Sequence, residues 1–403
     1  MAGRTLLTVL LLAAASLLLA GCSQPDSPPA SSAAPLTGET SPLASPTPPL
    51  AGPTVRLTPG GSPSSAGSST GSSAGSTAAS PTASAANTTL PGPVLRQLTS
   101  GGCCVEPFWA PDSQSLLYID RPSRDAPAGL WRVDLPGGAP QFVTERLGVY
   151  SPDLQRRAFL SGGETLVEDL QTGEQWRIPN DGRAVSFSPD GQWLAWTAGQ
   201  SGPPFDRARR EVWISRADGS QAQMVFASPR GGFEGWFPDG RLLVSGAASE
   251  DGGSQALWAL NLDNSRPDQP DLLELGQAGR LREAKISPGG SWLVYLATFS
   301  ADPAQDGLWL ADTRSGERWL LEHFGGFHWR DDEHLLLVPL DLQQPLHWLV
   351  QIEAASRQAV TLTDPLQTPF KIANGDWRVS PDGHKLVFVS AADGNIWLLE
   401  LGG

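Results

Sequence analysis

The chain has 403 residues, 40% of them apolar, and carries a net charge of −14 from 28 basic and 42 acidic side chains. That length supports a sizeable core, while so few basic residues, with only Lys285, Lys371 and Lys385 as lysines, exclude broad electrostatic binding to nucleic acid, whose phosphates need a basic face. Every tryptophan falls after residue 100, and the Ser/Pro-rich sequence lies before it, so the chain divides into two compositional regimes.

Arg4 is the single charge ahead of an apolar run from Leu6 to Ala20, which ends in Leu19-Ala20-Gly21-Cys22. Residues 1–21 read as a secretory signal peptide. The apolar run of about 15 residues is shorter than the ~20 that cross a hydrocarbon core, and no basic cytoplasmic flank follows it. The tetrapeptide resembles the lipobox of bacterial lipoproteins. The resemblance implies that the Cys22 thiol is lipidated with palmitate-like chains. It also implies an extracytoplasmic protein anchored to the membrane of the cell envelope, since two or three acyl chains hold stably where one does not.

Residues 22–92 are almost entirely Ser, Thr, Ala, Pro and Gly, with Asp26, Glu39 and Arg56 as their only charges. Such a segment cannot bury a core and is expected to be a disordered linker, with an r.m.s. reach of roughly 45–50 Å. Gly71-Ser72-Ser73-Ala74-Gly75 matches a hydrolase nucleophile pattern but lacks the strand-turn-helix setting that the chemistry requires.

From residue 93 onward one pattern recurs: an apolar or aromatic residue, one spacer, a Pro-Asp-Gly-like turn and a β-rich run. The copies begin at Trp109, Tyr150, Phe187, Trp236, Ile286, Trp329 and Val379. A repeat of about 45 residues built from short strands is the signature of a propeller. A second strand follows each turn, as in Leu116 to Ile119 and Trp193 to Trp196. A third run centres on Trp131, Leu166, Trp213, Trp258, Trp309, Trp348 or Trp397, and the tryptophans are expected to pack between blades. A fourth strand such as Gln141 to Thr144 completes the unit. The predicted fold is all-β: a seven-bladed propeller of four-stranded blades over 93–403. Its last unit stops after three strands, so residues 93–100 are expected to close it. Two turns depart from the pattern, Pro288-Gly289-Gly290 without the aspartate and Asp331-Asp332-Glu333 without the proline.

These turn motifs, with Gln97-Leu98-Thr99 and Val360-Thr361-Leu362-Thr363, resemble the TolB-like, WD40-like propeller family. The resemblance implies a partner-binding or scaffold propeller in the cell envelope.

Ligand sites of propellers lie at the mouth of the channel, on the loops that join blades. There the sequence places Cys103 and Cys104, which in an oxidising exterior are expected to form a strained vicinal disulfide. The candidate mouth residues are Cys103, Cys104, Glu106, Arg183, Glu234, Arg282, His323 and Lys371, with Arg280, Glu283, Asn374 and Asp376 nearby. The loops Gln200 to Arg210 and Thr298 to Gly307 are expected on the same face. His328 and His334 lie near Asp331, Asp332 and Glu333, but strand alternation makes these side chains diverge, so no metal is expected. No Ser/His/Asp set converges either, so no catalytic residue and no cofactor are assigned. The expected function is a non-enzymatic binding or scaffold module for a partner protein, glycan or small ligand. The alternative is a channel-mouth enzyme, a lyase or hydrolase acting on an extracellular polymer.

Overall fold

The computed structural model describes residues 93–102, 105–199, 208–248, 253–266 and 269–402. The expected signal peptide and linker, with Cys22, and Cys103 and Cys104 lie outside the described residues. The described chain forms seven antiparallel four-stranded sheets arranged as a propeller. Counted outward from the channel, the first strands of blades one to seven are Val105–Trp109, Val149–Tyr150, Ser186–Phe187, Gly232–Trp236, Arg280–Ile286, Gly325–Trp329 and Ile372–Val379. Because each blade is an up-and-down meander, turns from first to second and third to fourth strands share one face, here the turn face. The remaining loops, including those between blades, share the mouth face.

Blade seven supplies three of its own strands and takes its fourth from the start of the domain. Val94–Gln97 pairs antiparallel with Ile396–Glu400, Val94 opposite Glu400 and Gln97 opposite Trp397. Beyond the strand, the Leu98 N–H donates to the Ile396 carbonyl at 2.8 Å, and the Ile396 N–H donates to Thr99 Oγ1 at 2.8 Å. The chain therefore enters the wheel from the turn face.

Each blade has two apolar faces, and the core is correspondingly divided into slabs, one at each blade junction. Between blades four and five, for example, Phe237, Leu243, Leu257 and Leu275 meet Leu281, Leu293 and Tyr295. The junction of blades one and two is the thinnest, with Ala110, Leu117 and Leu130 as its fully buried members. Trp131, Trp213, Trp258, Trp309, Trp348 and Trp397 are half-buried, each packed on the slab shared with the preceding blade. Trp348 precedes its strand, Val350–Glu353, instead of lying within it. A second set of tryptophans ties blades together nearer the axis. The indole N–H of Trp109 donates to the Arg378 carbonyl at 3.3 Å, that of Trp236 to Ser186 at 3.3 Å, and that of Trp329 to Lys285 at 2.8 Å.

The recurring turn has a local chemical logic. In Ser151-Pro152-Asp153, Ser188-Pro189-Asp190 and Ser380-Pro381-Asp382, the serine hydroxyl donates to the aspartate. The same hydroxyl accepts the backbone N–H five residues on, each at 2.9 Å. The aspartate also accepts the N–H two residues beyond it, at 3.0–3.1 Å. Blade five has Gly289 where this aspartate belongs. Asp332, from the turn of blade six, reaches across to fill the role, accepting from the Ser287 hydroxyl and from the Gly289 N–H at 2.9 Å. Gly289 is obligatory in this arrangement, because a Cβ there would lie 2.5 Å from Asp332 Cγ.

The exchange can be tested by a mutant cycle. Asp332→Ala should cost about 1–3 kcal/mol through the lost charged hydrogen bonds. Gly289→Asp alone should also destabilise, yet in the Asp332→Ala background it should restore most of the loss. Additive effects in urea unfolding would refute the exchange.

The turn aspartates also set an acid limit. Burial alone would raise Asp382, but hydrogen bonds from Lys385, Ser380 and the His384 N–H outweigh it and bring its pKa down to about 2; Asp153 and Asp332 are lowered in the same way. A depressed folded-state pKa adds stability that is complete above the unfolded value of about 3.9 and is lost as pH falls toward 2. Thermal unfolding followed from pH 5 to 2 should therefore show a steeper decline in the parent than in Asp382→Asn.

Candidate binding site in the channel

Several first strands are interrupted by a register shift near their mouth end, between Val105 and Phe108, between Arg282 and Lys285, and between Ile372 and Trp377. Within these bulges Glu106, Glu283 and Asn374 adopt positive φ of 52°, 51° and 52°. A non-glycine residue held in the left-handed region costs about 1–3 kcal/mol, and bulges of this kind re-aim side chains. Three polar residues on blades one, five and seven carry this strain at the rim of the same channel.

Deeper in, one position of the first strand, the residue before the repeat's apolar or aromatic anchor, differs sharply from blade to blade. It is Lys285, His328 and Arg378 on blades five, six and seven, and Phe108, Val149, Ser186 and Gly235 on the other four. The Lys285 ammonium donates to the Phe327 carbonyl and lies 3.3 Å from His328 Nε2 and 4.7 Å from the Phe327 ring centroid. The His328 ring meets buried Trp377 edge to face at 4.4 Å. Arg378 Nη1 donates to the Trp377 carbonyl at 2.7 Å and stands 3.9 Å from Asp376 Oδ1. Asp376 Oδ2 in turn accepts the Glu106 N–H at 3.0 Å.

Burial lowers the Lys285 pKa to about 8, with Arg378 adding to the shift and Glu283 opposing it. Burial, then Lys285 and Arg378, hold His328 well below the usual histidine value. His328 is therefore neutral at pH 7, and its Nε2 can accept from the lysine. Burial raises the carboxyls of Asp376 and Glu106; Asp376 pushes Glu106 further up, and Arg378 moderates both.

Two cavities open against first strands, one beside Lys285 and His328 and one away from them. One of about 370 Å³, between blades four and six, is lined by Glu234, Trp236, Lys285, Ile286, His328 and Trp329 among others. Another of about 350 Å³, at the thin junction of blades one and two, is lined by Glu106, Phe108, Leu147, Tyr150 and Leu154.

Of the residues expected at the mouth, Glu106 and Glu234 line these cavities, the latter accepting from the Ser245 hydroxyl at 2.6 Å. Arg282 and Lys371 are exposed, Arg282 near the mouth end of its first strand and Lys371 between blades. Arg183 and His323 lie on loops between blades, the Arg183 carbonyl accepting from Thr165 Oγ1 at 2.9 Å. These four come from different parts of the ring: the loops after blades two, five and six, and the first strand of blade five. Cys103 and Cys104 fall outside the described residues; before them the Gly102 N–H donates to Asn395 Oδ1 at 2.9 Å. Of the segment Gln200 to Arg210, residues 200–207 lie outside the described residues, and Arg209 and Arg210 begin the strand Arg209–Arg216. The acids near His328 have other duties: Asp331 bonds His334 at 2.9 Å and Asp332 completes the turn of blade five. Among the described residues no group of three or more His, Cys, Asp or Glu side chains comes together to hold a metal.

Sequence reasoning missed the roles of Lys285, Trp377 and Arg378. Aligning the blades on their anchor residues, and reading the column just before, would have found the lysine and the arginine. It also missed five exposed apolar residues on mouth-face loops of blades five to seven: Phe299, Phe324, Leu340, Leu342 and Leu366, the fourth and fifth 92% and 90% exposed.

No family model and no curated protein sequence matches the chain. Among solved structures it is similar to an oligogalacturonate lyase from Vibrio parahaemolyticus, with a TM-score of 0.51 and 11% identity over 78% of this chain and 94% of that one. An acylaminoacyl peptidase gives a TM-score of 0.51 and 12% identity over 74% of this chain and 51% of that one. TolB from Acinetobacter baumannii gives 0.38 and 17%, over 62% and 64%. At these identities the likeness is one of fold.

The cation pair predicts a spectroscopic result. The His328 imidazole should stay neutral from pH 8 down past the usual histidine range, and Lys285→Met should move its titration upward by removing one of the charges that hold it down. Histidine NMR titration reads both; a His328 that titrates normally in the parent would contradict the described packing.

Proposed function

We propose that this protein is a lipid-anchored, extracytoplasmic binding module that docks a partner protein on the mouth face of blades five to seven, with the channel beneath as a recess for part of the partner or a separate ligand. The observation that supports this reading most directly is the set of five large apolar side chains exposed there, on loops that surround the Lys285–His328–Arg378 wall. Exposed apolar residues of this size gathered on the loops of one face support an interaction surface there. The chain enters the wheel at Val94 on the opposite face, so the entering strand does not itself cover the mouth face.

The anchoring part of the reading rests on Leu19-Ala20-Gly21-Cys22. Cys22→Ala should release the protein from membranes, and fractionation after a salt wash checks it. A pull-down from native membranes should recover a partner with the parent chain and lose it with Leu342→Ser/Leu366→Ser. Equal recovery with that variant would count against the mouth face.

One observation favours a second reading. A half-buried lysine with a pKa of about 8 beside a neutral histidine has the character of a general base in a channel-mouth enzyme. Degradation of an extracellular polysaccharide by the parent, lost in Lys285→Met, would establish that reading in place of the first.

A further inference from the structure

We infer that Lys285 and Arg378, set on either side of His328, form an anion site in the channel that takes a single carboxylate-like oxyanion carried on an apolar or neutral group. The inference rests on reading the channel as a binding recess and names the chemistry of what enters it.

The first argument is charge balance. Lys285 is largely enclosed, and among the described residues no carboxylate oxygen lies within ion-pair distance of its Nζ. Its partners are neutral, the Phe327 carbonyl, the His328 ring and the face of Phe327. A cation drawn out of water and left with neutral acceptors is only partly compensated, and a ligand anion would complete it.

The second argument is placement. Lys285, His328 and Arg378 occupy one register position on three adjacent first strands, so their polar ends form an arc along one side of the channel. Edge-to-face packing on Trp377 fixes the His328 ring, whose Nε2 then faces the lysine and orients its ammonium. The adjoining cavity of about 370 Å³ is walled by Trp236, Ile286 and Trp329, which offer an apolar bed for the rest of the ligand.

The third argument limits the charge of the ligand. Carboxylates stand around the arc: Glu283 on the strand of Lys285, Glu234 on the strand before it, and Asp376 and Glu106 beside Arg378. The whole chain carries −14. A dianion would be repelled by these groups, whereas a monoanion gains the two cations without a large penalty.

Only three lysines occur in the chain, so selective 13Cε-lysine labelling of the full chain gives three signals, with Lys285 identified by its loss in Lys285→Met. Benzoate is the probe, neutral benzamide and inorganic phosphate the comparisons. Benzoate should shift the Lys285 signal saturably, move its titration midpoint above about 8 and leave the Lys371 and Lys385 signals unchanged. Benzoate binding by equilibrium dialysis should fall at least tenfold between pH 7 and 10, as the ammonium loses its proton. Lys285→Met should weaken it at least tenfold, and Arg378→Gln at least threefold should the first variant fail to fold, while Lys371→Met should have no effect. Benzamide should not bind and phosphate should bind more weakly than benzoate. No saturable shift at Lys285, undiminished binding in the folded Lys285→Met or Arg378→Gln variant, or phosphate binding as tightly as benzoate would overturn the proposal. Partner capture is scored separately through Leu342→Ser/Leu366→Ser, so an absent anion site and an absent docking face give different patterns of loss.

Discussion

The pairing of Val94–Gln97 with Ile396–Glu400 is the constraint on which the rest of the wheel depends. A propeller blade is stable only when both of its faces are covered, and a ring achieves this for every blade at once only if it closes. The contacts that close it are among the most distant in the chain, Thr99 and Ile396 being 297 residues apart. The entropy cost of such a loop grows only logarithmically with its length, so a four-residue strand with flanking hydrogen bonds is a workable clasp. It also covers the outer edge of Ile396–Glu400 and leaves a strand of only four residues at the rim of blade seven, a short edge that offers little to pair with another chain.

The repeat was legible because each copy solves the same local problem in the same way. A serine, a proline and an aspartate close a tight turn with hydrogen bonds spanning no more than five residues, so the chemistry of the turn is written contiguously. The tryptophans of the third run were legible for a similar reason, all but Trp348 lying within the third strand and each covering the slab behind it. Blade five escaped this reading. Its missing aspartate comes from Asp332, 43 residues beyond Gly289, and nothing in the local sequence says that a neighbouring turn will supply it. Once the exchange is seen, two apparent irregularities, a turn without its acid and a turn with an extra one, become a single feature.

The channel was less legible because its residues are neighbours only through the ring. His328 stands in sequence close to Asp331, Asp332 and Glu333, which suggests a cation site. In space its ring neighbours are Lys285, Arg378 and Trp377, which make an anion the better complement. The bulges that place Glu106 and Glu283 in the left-handed region leave no mark on composition or periodicity, unlike the one at Asn374-Gly375. Glycine or asparagine would advertise such a conformation; two glutamates do not.

The division of the core into inter-blade slabs explains why the channel can hold so much unfavourable chemistry. Packing energy is collected between the sheets, so the side of each first strand that faces the axis is not needed for it. A strained glutamate or a desolvated lysine there is held by a frame whose stability is secured elsewhere. The frame is not used evenly. Blades five, six and seven carry the basic arc and the exposed apolar loops, while blades one and two meet over the thinnest slab and enclose a cavity lined by Glu106, Phe108 and Tyr150. Seven copies of one unit would place the same residues on every blade. Their concentration on three adjacent blades means that the wheel's symmetry belongs to its folding, while the distinctive chemistry at its axis is confined to one sector.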